Sequence, residues 1–404
     1  MRAMHRRGFV LGATAALVAT PWQSCRAALD FAAIRVRARG STVYFYAWGG
    51  SPEINRYIAW VGERVGELYG IRLVQVKLAD TAEAVAILIA EKAAGRESGG
   101  SIDLLWINGE NFAEARRRDL LFGPFAQDLP NFRLVDVAGK PSTVIDSTLP
   151  TEGYEAPWGM ARFVFFWDSA AFPEPPLSFP ALFERIRARP GRFTYPAPPD
   201  FVGSTFLEHL LYVTGIPAHR LQRAVDASSF ETWTAPLFAL LDDLHPHFWR
   251  RGRQFPLSQG QLHQLLADGE LDFSMSFNPA EAANLVLAGW MPASVRTFVP
   301  AEGTIANSHY LAIPWNAANR DGALLVADFL LSPEAQAKKL DPAVWGDGTV
   351  LALDRLAPEE RARFDSLPRH PSMLPPDVPA RTLSEPHPSW KERLELGWKQ
   401  RYGA

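Results

Sequence analysis

Val43-Tyr44-Phe45-Tyr46 is a run of strand formers that stops at Ala47-Trp48-Gly49-Gly50-Ser51-Pro52, where two glycines permit a sharp turn. Ser51 before Pro52 reads as a capping hydroxyl and a first helical position. Ile54, Ile58, Val61 and Val65 then fall on one helical face. Ile71 to Val76 reads as a second strand and Thr81 to Ala94 as a second helix, capped by Thr81 or Asp80. Ile102 starts a third strand after the loop Gly95 to Ser101. This β-α-β-α-β order is the pattern of a parallel sheet. The third strand is short, apolar and suited to the inside of that sheet. It runs directly into a polar knot of Asn108, Glu110 and Asn111. Polar groups just beyond the carboxyl end of such a strand stand where α/β proteins place ligands. Trp48, Gly49 and Ser51, at the end of the first strand, are expected to face the same crevice. Core packing and ligand contact both stay open for Trp48, whereas Trp106 inside its strand reads as core.

The second half repeats the theme. Ala156-Pro157-Trp158-Gly159 leads into Ala161 to Asp168, a long apolar run that reads as a strand leaving one lobe for another. Ser178 to Ala188 reads as a helix and Arg192 to Pro196 as a short strand. After them come Asp200, Gly203, Ser204 and Thr205 at the start of a helix through Val213. Free N–H groups at a helix start suit an acceptor or anion; Ser204 as a plain cap is the competing reading. Phe230 to Leu244 and Leu257 to Leu266 are expected helices. Leu271 to Phe277 alternates with period two and ends at Asn278, before helix Ala280 to Ala288, so Asn278 echoes Asn108 and a cap is again the alternative. Val295 to Val299 and Tyr310 to Pro314 read as strands bringing the chain back, with Glu302 to Asn307 between them. Gly322 to Leu331 and Pro333 to Lys339 are helices. Trp390, Leu394, Trp398 and Tyr402 recur every four residues and form a docking stripe on a terminal helix.

Composition narrows the function classes. At 404 residues and 47% hydrophobic, the chain buries more than one core comfortably holds, since single cores stop growing at roughly 250–300 residues. A formal net charge of -3 gives no electrostatic case for nucleic acid. Arg2, Arg6 and Arg7 precede an apolar run from Gly8 to Thr20, too short for a membrane span of about 20 residues and right for an export signal. Arg6-Arg7-Gly8-Phe9-Val10-Leu11 resembles the twin-arginine motif. Residues 1–27 are read as this signal, with cleavage after Ala27. Cys25 is the single cysteine, so no internal disulfide forms. A lipid anchor on Cys25 is disfavoured, because Trp22-Gln23-Ser24 makes a poor lipobox. The expected location is the periplasm.

Catalytic motifs are missing from the sequence: no Gly-x-Ser-x-Gly elbow, Walker loop, Gly-x-Gly-x-x-Gly or His-Glu-x-x-His occurs. His245 and His247 lack the further ligands a metal site needs. No cofactor or metal is expected, and an exported hydrolase using the same cleft is the runner-up to a non-enzymatic binder.

Longer motifs carry a resemblance. Trp106-Ile107-Asn108-Gly109-Glu110-Asn111-Phe112, Leu121-Phe122-Gly123-Pro124-Phe125, Gly191 to Phe201, Glu302-Gly303-Thr304-Ile305-Ala306-Asn307, Leu331-Ser332-Pro333-Glu334-Ala335-Gln336-Ala337 and Glu385-Pro386-His387-Pro388-Ser389-Trp390 resemble the YnjB-type solute-binding proteins of ABC importers. The resemblance implies a two-lobed periplasmic-binding-protein fold, type II-like, α/β, with two crossing segments as hinge. It implies delivery of a solute to an ABC permease and ATPase complex at the inner membrane. The lobes are expected at 28–158 plus 300–404 and at 159–299. The cleft is expected to use Trp48, Gly49, Ser51, Asn108, Glu110, Asn111, Trp158, Asp200, Gly203, Ser204, Thr205, Asn278 and Asn307. Tryptophans at strand ends (Trp48, Trp158, Trp315) suit a flat ring or a cation, and Glu110 and Asp200 suit a cation. The guest is therefore expected to be a small organic cation or heteroaromatic, bound by a monomer, although the helix start at Ser204 would also suit an anion.

Overall fold

The computed structural model describes residues 29–374 and 381–403. The export signal and Cys25 lie outside the described residues. The strands, in order, are β1 (Thr42–Trp48), β2 (Arg72–Leu78), β3 (Leu104–Ile107), β4 (Ile145–Asp146), β5 (Leu149–Pro150), β6 (Glu155–Arg162), β7 (Val164–Asp168), β8 (Phe273–Ser276), β9 (Val295–Phe298), β10 (Thr304–Ala312) and β11 (Thr382–Leu383).

The first sheet has β1 between parallel β2 and β3, with Thr42 opposite Arg72 and Phe45 opposite Leu104. β10 closes it antiparallel to both β3 and β6, with Tyr310 opposite Ile107. Its helices form as the apolar spacing requires. Ser51 accepts the Ile54 N–H, Pro52 follows, Ile54, Ile58, Val61 and Val65 are buried, and left-handed Gly70 (φ 69°) ends helix Pro52–Tyr69. The second sheet is small and wholly antiparallel, with β7 between β8 and β9. Two separate cores accompany the two sheets. One gathers Val43, Phe45, Trp106, Trp158 and Leu311; the other gathers Phe165, Phe206, Phe238 and Trp390.

Several expectations change. The run Ala161 to Asp168 is broken at Phe163 rather than being one strand; Phe163 donates its N–H to the Ile305 carbonyl (2.8 Å), so the crossing is a kink between β6 and β7. Arg192 to Pro196 forms no strand. The segment Glu302 to Asn307 is not a loop throughout: Thr304 to Ala312 is one long strand, because β11 pairs with Thr304 and Ile305 and β6 with Ala306 to Ala312.

The terminal helix Pro388–Tyr402 belongs with the second core, not with the first lobe as the span 300–404 implied. Trp390, Leu394 and Trp398 are buried there, and Trp398 Nε1 donates to Tyr195 Oη (2.7 Å). A stripe spaced by four needs an apolar partner, and helix Phe201–Val213 with Phe230 and Phe238 supplies it. The chain arrives by a third passage. Phe364 still packs in the first core, but Ser372 Oγ already donates to the Val295 carbonyl (2.7 Å).

Candidate functional site

The carboxyl ends of β1 and β3 and the first half of β10 share one edge of the large sheet. That edge faces the second lobe. Asn108 ends β3 in an extended conformation (φ -168°, ψ 167°) and makes no side-chain capping bond. Gly109 follows at φ +61°, a left-handed conformation that suits glycine. Its N–H donates to Asp146 Oδ2 (2.6 Å), and Asp146 is delivered by the tight β4–β5 hairpin. The next residue, Ser147, donates to Glu385 Oε2 (3.1 Å), whose Oε1 accepts from Asn307 Nδ2 (2.8 Å).

From the second lobe, Ser204 Oγ donates to Glu395 Oε1 (2.6 Å) on the terminal helix. One turn earlier on that helix, Lys391 reaches across to Glu110 Oε1 (3.7 Å) and lies 5.4 Å over the Phe201 ring centroid. Glu208, a turn beyond Ser204, is buried close to Lys391, Glu385, Glu110 and Glu395. Four carboxyl groups (Glu110, Glu208, Glu385, Glu395) thus surround the Lys391 ammonium at the boundary between the lobes, with Glu110 alone among the described residues in ion-pair contact, and a fifth, Asp146, lies near Glu385.

Burial is the main force on these acids. It pushes Glu208 up to about 8 and Asp146 well above its ordinary value, and it raises Glu385 as well. Burial opposes the charge on Lys391, but Glu110, Glu208, Glu395 and Glu385 together hold the ammonium above its usual range. Two acceptors at the boundary are buried without a hydrogen-bond partner: Asp146 Oδ1 and Asn307 Oδ1. Behind them, both oxygens of buried Glu155 are also unpartnered, and burial followed by the Asp146 charge raises that group far above normal.

Of the residues singled out in the sequence, the structure brings Glu110, Ser204 and Asn307 to this boundary. Asn108 and Asn111 lie beside Glu110, half-buried. Trp48 ends β1 with 40% of its surface exposed, over Gly50. Gly49 donates to the Leu78 carbonyl (3.0 Å), and Ser51 is occupied as a cap.

The others have structural tasks. Trp158 is fully buried, its ring 5.0 Å from Trp106 and 5.5 Å from Trp345, so it is core and not a stacking wall. Asp200 spends Oδ1 on the Val202 and Gly203 N–H groups and Oδ2 on the Gln259 N–H. Gly203 passes the Pro196 carbonyl so closely that a side chain would collide with it. Thr205 Oγ1 donates back to the Phe201 carbonyl (2.7 Å). Asn278 Oδ1 caps Ala280 (3.0 Å) and its Nδ2 donates to the Trp345 carbonyl (3.3 Å), tying the lobes together on the other side of the hinge. Trp315 follows β10 at the opposite edge of the sheet, where it meets Lys92. Asp146, Glu208, Glu385, Lys391 and Glu395 were not anticipated. The one available signal was Glu385, which opens the Glu-Pro-His-Pro-Ser-Trp motif.

Surface hollows at Gly62, Gly66 and Leu73 and at Ser41, Asn319 and Gly322 lie at the amino ends of β1 and β2, the wrong edge for an α/β ligand site. Among the described residues, no group of His, Cys, Asp and Glu is arranged to hold a metal ion, and no helix is long and apolar enough to cross a membrane.

Comparison with known proteins agrees with this architecture. Residues 62–352 match the family model described as bacterial extracellular solute-binding protein. The chain is 45% identical over 376 residues to Protein YnjB of Escherichia coli (strain K12), covering 93% of this chain and 95% of that one. Among solved structures, a putative extracellular solute-binding protein from Bordetella parapertussis aligns with a TM-score of 0.63 at 14% identity, over 90% of this chain and 99% of that one. A putative spermidine/putrescine ABC transporter protein from Listeria monocytogenes aligns at 0.60 and 15%, over 89% and 98%. At such identities these two speak to the fold alone.

Proposed function

The chain belongs to the bacterial extracellular solute-binding proteins, and from that premise we propose that it captures a small organic cation at the boundary between its lobes and delivers it to an ABC importer. The carrying observation is the gathering of four carboxyl groups from both lobes around one ammonium. Burial keeps Glu208 largely protonated at neutral pH, yet Glu110, Glu385 and Glu395 still outnumber the one ammonium, and a cation is favoured where negative charge exceeds positive charge in a partly desolvated site. Trp48 and the Phe201 ring, both partly exposed, add aromatic faces of the kind that hold cations.

The mechanism is closure without chemistry. Glu110 belongs to the first lobe, and Lys391, Ser204 and Glu395 to the second. A guest that satisfies groups on both sides favours the closed arrangement by its differential affinity for it. The importer then recognises the paired lobes. In this reading the protein is exported by the twin-arginine route, works in the periplasm as a monomer and is not lipidated.

The hydrolase reading gains nothing from the geometry. Ser204 donates to a carboxylate, and the nearby His209 spends Nδ1 on the Thr205 carbonyl (2.7 Å) and Nε2 on the Ile305 N–H (2.8 Å). Neither ring nitrogen is left to serve as a base. The test is native mass spectrometry of protein taken from the periplasm, followed by thermal shift with amines, carboxylates, phosphates and sugars. Stabilisation by amines is expected. Stabilisation confined to anions or sugars would reverse the assignment.

A further inference from the structure

Lys391 is held in an unusual way for a partly buried cation. Its ion-pair contact to Glu110 is 3.7 Å, longer than the roughly 2.7–2.9 Å of a strong charge-assisted bond. It sits in the first turn of the helix Pro388–Tyr402, where the helix dipole disfavours positive charge. Glu395, four residues later, stands in the less favourable order for a helical lysine–glutamate pair. The stem is a flexible four-carbon chain. Around it, acidic groups outnumber it: Glu110 on helix Gly109–Arg117, Glu385 before the terminal helix and Glu395 on it, with Glu208 on helix Phe201–Val213 kept largely protonated by burial.

An independent observation comes from the Glu385 side of the same boundary. Asn307 is 5% exposed, its Nδ2 is fixed on Glu385, and its Oδ1 has no donor; Asp146, 2% exposed, also keeps one oxygen without a donor. Buried acceptors left this way are costly. A primary ammonium brings three donors, and an untethered one can turn them to where the lysine cannot.

We propose that Lys391 is a tethered stand-in for the guest, and that the guest is an alkylammonium compound whose head group displaces the lysine ammonium from Glu110 and the Phe201 ring. The proposal rests on the cation-capture reading given above. In the free protein the lysine offsets part of the negative charge of the site, and displacement makes guest entry an exchange of one ammonium for another. A tethered group competes at an effective concentration of about millimolar, so removing it tightens binding of an amine by ~10-fold or more.

The experiment is titration calorimetry of the exported protein, after dialysis, with n-butylammonium and 1,5-diaminopentane as probes. Wild type, Lys391→Met, Lys391→Gln and Glu110→Gln are compared, each checked by thermal melting. Tighter binding of 1,5-diaminopentane by both lysine variants, with weaker binding by Glu110→Gln, is expected. Unchanged or weaker binding by the lysine variants, or no binding of either amine to any form, overturns the stand-in role. A neutral or anionic solute retained from the periplasm and lost on Lys391→Met also overturns it, while leaving solute capture intact. Absence of any retained solute together with no response to any compound class sinks the capture reading itself.

Discussion

Two lysines in this molecule face similar partners and are held in opposite ways. Lys339 is fully buried in the first lobe. It donates to Asp347 Oδ2 (2.5 Å) and the Gly348 carbonyl (2.7 Å) and lies 5.5 Å over the Trp345 ring centroid, while His309 meets the other oxygen of Asp347 (3.1 Å). Charges balance closely there. Burial pulls the Lys339 ammonium down, and Asp347 stays below the usual carboxylate range because Lys339 and His309 outweigh its burial. Lys391 has more negative partners and poorer contacts, and its side chain keeps 25% exposure. Two short hydrogen bonds hold the buried Lys339, where Lys391 has a long contact: contact geometry, and not the presence of a charge partner, separates the two.

The largest expected effect is at the saturated pair. Lys339→Met leaves Asp347 buried without its cation and should cost about 3–5 kcal/mol in urea unfolding, with Lys339→Met plus Asp347→Asn recovering much of the loss. Lys391→Met should stay within about 1 kcal/mol of wild type, since its ion-pair partner, Glu110, is 56% exposed and the contact is long. Equal losses from the two lysine changes would erase the contrast.

Next in size is the response to pH. Glu208 titrates in the folded protein at about 8, against an ordinary 4.5. Its contribution is therefore fully present below 4.5 and is lost as pH rises through 8, an effect on the order of a few kcal/mol. His209 and His245 behave conversely. Burial lowers both to about 4 from 6.5, so their contribution is present above 6.5 and is lost as pH falls through 4. Denaturation midpoints measured from pH 4 to 9 should form a dome, and Glu208→Gln should flatten its alkaline side. An unchanged alkaline side in that variant would remove Glu208 as its cause.

Smaller still is the neutral clasp opposite the charged boundary. Asn278 and Asn284 both donate to the Trp345 carbonyl, at 3.3 and 2.7 Å. Alanine at both should cost roughly 1–3 kcal/mol in total and lower guest affinity by calorimetry, because the closed arrangement loses support. Affinity equal to wild type would show that this clasp takes no part in closure. Smallest is Glu110→Gln, expected to change stability by less than about 1 kcal/mol because the side chain is 56% exposed.

Much of the first lobe was legible from periodicity alone, because a helical face such as Ile54, Ile58, Val61 and Val65 and a cap such as Ser51 are local signals. The candidate site was legible in part, at Asn108 and Glu110 past a strand end, at Ser204 near a helix start and at Asn307 on the returning strand. Polar residues at helix starts misled at Asp200, Thr205 and Asn278, since a cap and a ligand contact demand the same side chains. The carboxyl groups come from four distant parts of the chain, at 110, 146, 208 and 385–395, and no spacing rule joins them. The stripe Trp390, Leu394, Trp398 announced a docking helix, but nothing local to it named the second lobe as its berth.

The third passage, between Phe364 and Ser372, has a mechanical meaning. Two adjacent ribbons let a pair of bodies swivel as well as swing. An added strap, continued by β11 lying flat against β10, resists the swivel. A hinge braced in this way is expected to open about one axis, as a door on its jamb.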